Sequence, residues 1–135
     1  MNSRREFIKG SVVAASVLAL SRTLPAEGSE NSLSGIVYTK DNPGKWGKKV
    51  GSHLPSITVE NGKVTLETKH PMSEKHYIIR HTLVLEDGTV AGAKTFYPDI
   101  KKAVSSYELP AGYKGKIYGT SFCNLHDFWL NEATV

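Results

Sequence analysis

A single cysteine, Cys123, stands in a chain of 135 residues, so an internal disulfide is excluded. A lone thiol then points to an intermolecular bridge, to burial or to metal ligation. Long apolar runs are also missing. The longest, Gly10 to Leu20, is about 11 residues where a membrane span needs roughly 20, so no stable membrane insertion is expected. Beyond that run no stretch carries a helical hydrophobic period of useful length, and there is no internal repeat or low-complexity segment.

The apolar run follows Ser3-Arg4-Arg5-Glu6-Phe7-Ile8-Lys9, a twin-arginine export signature. A charged start, a short apolar middle and a small-residue edge at Leu24-Pro25-Ala26 read as a removable leader over residues 1–26. That leader holds four of the 17 basic residues and one of the 13 acidic ones, which leaves 13 against 12 and a net charge near +1. The basic pI therefore belongs mostly to the leader and does not point to nucleic acid. A periplasmic or otherwise exported location is expected.

The remaining residues make one domain with one core. Residues 27–49 read as a polar, extended arm with at most one short strand near Gly35 to Tyr38. Residues 50–135 read as short β-runs broken by turns. Ser56–Glu60 and Lys63–Thr68 alternate on either side of Asn61-Gly62, a hairpin signal. Further strands are expected over His76–Leu85, Thr89–Phe96, Val104–Leu109, Lys116–Phe122 and Trp129–Val135. Such spacing predicts an all-β, seven-stranded antiparallel sandwich.

Four of the five histidines join the cysteine in a ligand pattern: His53 before Leu54-Pro55, His70 before Pro71, His76 six residues on, then Cys123 and His126 in C-N-L-H. Donors on one ion lie about 3 Å apart, so the chain must turn between Cys123 and His126, and Asn124 suits such a turn. All five fall at strand ends or loops, where sites are built. Imidazole suits Fe, Cu, Zn and Ni alike. A structural zinc site closes with four ligands, so five N/S donors with one vacancy fit a redox-active iron better. His81 lies inside a strand and reads as structural. Trp46 and Trp129 read as core or as walls of the site. Lys101, Lys102, Lys114 and Lys116 read as solvated, with a docking patch as the sharper alternative.

With these residues in place, the chain from about Trp46 to Val135 resembles the superoxide reductases, also called neelaredoxins, whose iron domain occurs in desulfoferrodoxin. The resemblance rests on H-x-P at His53, H-P-x4-H at His70 and His76, C-N-x-H at Cys123 and His126, Trp129, and N-E-x-T at Asn131–Thr134. It implies an immunoglobulin-like sandwich and one iron with His53, His70, His76 and His126 equatorial and Cys123 axial. It also implies one-electron reduction of superoxide to hydrogen peroxide. The four-cysteine rubredoxin-like site of some relatives has no counterpart in a one-cysteine chain. Two departures stand out. The family usually carries Glu-Lys directly before the first histidine, where this chain has Gly51-Ser52, and Trp46 to His53 is two residues longer than usual. Lys48 and Lys49 fall in that stretch, and one of them, Lys49 in preference, is expected to replace the absent lysine as the catalytic cation. Glu74-Lys75-His76 holds the same tripeptide at another histidine, and Lys75 adds positive potential. Asp127 stands where the family commonly has Gly, and Asp tolerates left-handed backbone.

The expected partners are superoxide and an external one-electron donor, with a c-type cytochrome as the candidate; a homo-oligomer is compatible with the sequence. The competing reading is a non-catalytic electron carrier, or a sensor of nitric oxide or peroxide using the same vacancy.

Overall fold

A computed structural model describes Leu33 and residues 35–135. The leader expected over residues 1–26 lies outside the described residues. Among the described residues eight strands form two sheets, the seven expected and the one short strand allowed near Gly35 to Tyr38: β1 (Val37–Tyr38), β2 (Ser56–Glu60), β3 (Lys63–Thr68), β4 (Ile78–Leu85), β5 (Val90–Thr95), β6 (Ala103–Glu108), β7 (Lys116–Cys123) and β8 (Asp127–Thr134). The larger sheet runs β1-β8-β7-β4-β5 and the smaller β2-β3-β6. All pairings are antiparallel except β1 with β8, where Val37 pairs with Phe128 and Tyr38 with Trp129. The short strand is this two-residue piece, whose partner lies at the far end of the chain. The expected sandwich is the fold.

The hairpin between β2 and β3 turns where expected. Asn61 and Gly62 have φ of 50° and 76°, the pair of positive angles that a type I′ turn requires. Between Lys40 and Ser56 the chain departs from the extended form. A 3-10 helix spans Gly44–Lys49 and a single α-turn, α1, spans Val50–His53. Ten residues divided between two helix types are too few to print a hydrophobic period.

The core follows the two-residue period of the strands. Val64 and Leu66 of β3 meet Leu83 and Leu85 of β4 and Ile117 of β7. A second cluster joins Ile78, Phe96, Ala103 and Cys123. Gly119 continues the inward series of β7, and a Cβ there would sit 2.7 Å from Leu66 Cδ2, so a side chain at this position would push Leu66 aside.

Toward one end of the sandwich the core turns polar. His81, fully buried on β4, lies 2.8 Å from Thr68 Oγ1 and 2.9 Å from Ser105 Oγ, while Thr68 donates to Ser121 Oγ at 3.0 Å. Thr68 has spent its proton on Ser121, so it accepts from His81 Nε2–H, and His81 Nδ1 accepts from Ser105. One directed chain of hydrogen bonds thus runs β6 to β4 to β3 to β7, with Phe96 edge-on to the imidazole at 4.8 Å. His81 matches no ligand position and touches no ligand in this network, as its sequence context predicts.

Burial, and secondly the charge of Lys94, holds His81 down to about 4 from its ordinary 6.5. In the unfolded chain His81 takes up a proton as pH falls below about 6.5, while in the folded chain it does not until about 4. Its contribution is therefore complete above that window and is lost as pH falls through it, at about 1.4 kcal/mol per pH unit and up to about 3 kcal/mol in total. Urea unfolding of native protein and His81→Leu between pH 7 and pH 4 is expected to give a steeper pH slope for the native chain. Parallel slopes would show that His81 is not held neutral.

Candidate metal centre

Each ligand candidate is carried to one end of the sandwich by a different local device. Cys123 is the last residue of β7 and continues its inward series through Ile117, Gly119 and Ser121, with no exposed surface. A turn follows. Asn124 pins it by accepting from the Tyr77 backbone N–H at 3.1 Å and donating to the Lys75 carbonyl at 3.0 Å. The same two bonds bind the turn to the loop that carries His76. That loop is closed by paired backbone bonds between Ser73 and His76 at 3.0 and 3.1 Å. His126 completes the turn. Asp127 then takes φ 54°, the left-handed geometry that glycine commonly supplies. Trp129 Nε1 donates to the His126 carbonyl at 3.1 Å.

His70 lies two residues past Thr68 at the end of β3 and keeps its inward parity. His53 ends α1, and the chain leaves it extended through Leu54 (φ −68°, ψ 123°) into Pro55, whose carbonyl accepts from Asn131 Nδ2 at 2.9 Å.

All five predicted side chains meet. One donor atom each from His53, His70, His76 and Cys123 lies within 4.8 Å of the others. His126 Nδ1 joins them, 3.0 Å from His53 Nε2, 3.1 Å from His76 Nε2 and 3.5 Å from Cys123 Sγ. His70 Nε2 is 3.0 Å from His76 Nε2. Neighbouring donors around a first-row metal at about 2.1 Å stand about 3 Å apart, and opposed donors little more than 4 Å. The spacing fits one ion. Both tryptophans wall the cluster: Trp46 stands edge-on to His126 at 4.6 Å, and Trp129 tilts against His53 at 5.6 Å.

The electrostatics of the four imidazoles agree with that use. Burial pushes His53 down to about 3 and His70 to about 4, helped by the neighbouring imidazoles. His76 and His126 are also lowered, first by burial and then by the charge of Lys49. At neutral pH all four present lone pairs, the form in which imidazole ligates. Burial raises the Cys123 thiol, against backbone N–H groups of Leu125 and His126 and the charge of Lys49 that favour thiolate. His70 Nδ1 is the one buried side-chain polar atom among the described residues with no hydrogen-bond partner, although the Pro71 backbone nearby works to raise its pKa.

Of the two expected lysines, Lys49 is half-buried and its charge bears on His70, His76, His126 and Cys123, while Lys48 is exposed. Two features escaped sequence reasoning. Ser52 appears there only as a departure, yet its hydroxyl lies 2.8 Å from His53 Nδ1. Thr68 and Ser121 carry no motif, yet each sits two residues before a ligand candidate; inward parity is the signal that would have found them.

A family profile described as desulfoferrodoxin matches residues 45–132. Among solved structures the chain is similar to a superoxide reductase (1Fe-SOR) from Giardia intestinalis, with TM-score 0.56 and 25% identity over 62% of this chain and 98% of that one. It is similar to a superoxide reductase (neelaredoxin) variant from Archaeoglobus fulgidus in the reduced form, with TM-score 0.53 and 26% identity over 65% and 91%. In fold it also matches the neelaredoxin of Ignicoccus hospitalis, with TM-score 0.57 and 24% identity over 73% and 93%. No curated protein matches the chain.

Removing one donor should cost more than removing a residue that only orients one, which typically costs 10–100-fold in metal affinity. Titration with Co2+ is expected to give one equivalent bound with a thiolate charge-transfer band. Cys123→Ser should lose that band and bind at least about tenfold more weakly. A band that survives this substitution would remove Cys123 from the ligand set.

Proposed function

Because the chain belongs to the desulfoferrodoxin family, we propose that it is a superoxide reductase. It converts superoxide to hydrogen peroxide at one iron held by His53, His70, His76, His126 and Cys123. The observation that carries this reading is the meeting of four imidazoles and one cysteine sulfur at ion-binding distances. When bound, iron supplies one electron per superoxide, and two solvent protons complete one hydrogen peroxide. The family's iron chemistry and the donor set both support iron over zinc, since five donors exceed what a structural zinc site uses.

The chain's own residues do the rest. Five donors are one fewer than six-coordination takes, which leaves a place for a small ligand. Trp46 and Trp129 cover the flanks of the histidines. Lys49 supplies the positive potential that draws a small anion toward the centre, and its effect on four of the five donors supports it over Lys48. Export through residues 1–26, a periplasmic site of action, a c-type cytochrome as electron donor and a homo-oligomeric state belong to the same proposal. No described helix is long and apolar enough to cross a membrane. A mature N-terminus near residue 27, read by mass spectrometry of the exported protein, is the expected outcome; an intact residue 1 in that fraction would refute the leader.

Superoxide consumption with a chemical reductant decides the activity. A reductase removes superoxide without evolving dioxygen, a dismutase evolves it, and a carrier does neither at a useful rate. Lys49→Ala is expected to lower the second-order rate about tenfold and to flatten its fall with ionic strength. Lys48→Ala should do less. A double Lys48→Ala, Lys49→Ala variant that keeps both the native rate and the native fall with ionic strength would end the role of both.

A further inference from the structure

Ser52 makes two contacts that cannot be assigned independently. Its Oγ donates to the Lys49 carbonyl at 3.2 Å and lies 2.8 Å from His53 Nδ1. A carbonyl oxygen only accepts, and a serine hydroxyl has one proton. Once that proton is given to Lys49, Oγ is left with lone pairs, and the contact to His53 is a hydrogen bond only if Nδ1 carries the hydrogen. The neutral ring then bears its free lone pair on Nε2, the atom 3.0 Å from His126 Nδ1 inside the donor cluster.

We propose that Ser52 is the positioning residue of the centre: its hydroxyl, anchored on the Lys49 carbonyl, fixes His53 in the Nδ1–H tautomer and aims Nε2 at the metal.

The inference rests on the metal-centre reading only for its consequence; the tautomer follows from the hydrogen bonds alone. The backbone explains why serine serves here. Lys49 and Ser52 are three apart at the start of α1, the spacing at which a serine hydroxyl reaches back to a carbonyl of the preceding turn. In an extended segment the same hydroxyl would not meet that carbonyl. A His ligand usually gives its second N–H to a carboxylate, a backbone carbonyl or water. Here the carbonyl is reached through one hydroxyl, and that carbonyl belongs to the residue whose side chain bears the site's positive charge. Ligand orientation and cation placement therefore share one turn of backbone.

Two measurements test this. Long-range 1H–15N spectra of metal-free protein near pH 7.5 report the tautomer of each neutral histidine. His53 is expected as Nδ1–H in native protein and in Ser52→Thr, and as a mixture or as Nε2–H in Ser52→Ala. Native His53 in the Nε2–H form would overturn the assignment. Titration with Co2+ is expected to show Ser52→Ala binding about tenfold more weakly than native, at the lower edge of what lost orienting partners cost, with Ser52→Thr restoring most of the affinity. Equal affinity in Ser52→Ala would overturn the positioning role. Alanine suits a helical turn, so α1 is retained in that variant. If native protein bound no Co2+, the metal-centre reading itself would fail and take the affinity half of the inference with it, while the tautomer result would still decide the other half.

Discussion

The hydrogen bond from Thr68 to Ser121 is the constraint on which the site depends. Thr68 belongs to the three-stranded sheet and Ser121 to the five-stranded one. Each lies two residues before a ligand candidate with the same inward parity, His70 on one side and Cys123 on the other. Two sheets packed through apolar side chains alone can slide, since the hydrophobic effect has no direction. A bond of 3.0 Å between side chains has direction and length. It sets how far apart the ends of β3 and β7 stand, and thereby whether an imidazole and a thiolate can share an ion. His81 and Ser105 complete the bond rather than decorate it. Without them Thr68 would lack a donor to its own oxygen inside the core, where an unmet polar group costs most.

Above this brace the chemistry is that of a largely buried pocket. Burial keeps four imidazoles neutral and disfavours the thiolate, so the donor set by itself carries little charge. The cation that acts on most of it is Lys49. A lysine beside five donors opposes a metal cation and favours an anion. The opposition is the smaller effect, because direct ligation by neutral nitrogens and one sulfur outweighs a screened charge on a half-buried side chain. What remains is a centre that can hold a metal and still draw an anion to it.

Much of this was legible in the sequence, and the reason is locality. Strands β2, β3 and β7 begin where alternation and turn residues place them. Cys123 and His126 are bound by a three-residue turn, and Asp127 takes the left-handed angle its chemistry tolerates. What was not legible is long-range or short-lived. The parallel pairing of β1 with β8 joins residues some ninety apart. The helical turns at Gly44–Lys49 and Val50–His53 end before a period can show. Thr68, His81, Ser105 and Ser121 are ordinary strand residues in sequence; only folding brings four strands' polar side chains to one place. The convergence of five ligands could be inferred from spacing, and Lys49 is preferred over Lys48 there too, but the exposure of the two lysines and their charge effects at the cluster were not legible.

Gly51-Ser52 looks at first like the loss of a working pair. Under the proposed roles of Lys49 and Ser52 it is a rearrangement. The two residues added between Trp46 and His53 leave room for a helical turn directly before the histidine. In a helical turn a residue three positions earlier lies on the same side as the residue in question, so a lysine at 49 can serve the end of the turn where one at 52 would otherwise stand. Position 52 is then free of the electrostatic task, and a short hydroxyl there reaches both the carbonyl behind it and the ring ahead. A lysine at 52 would have three donors and no acceptor, and could not receive the His53 N–H. Under the proposed roles, a charge one turn upstream leaves residue 52 free to orient the ligand.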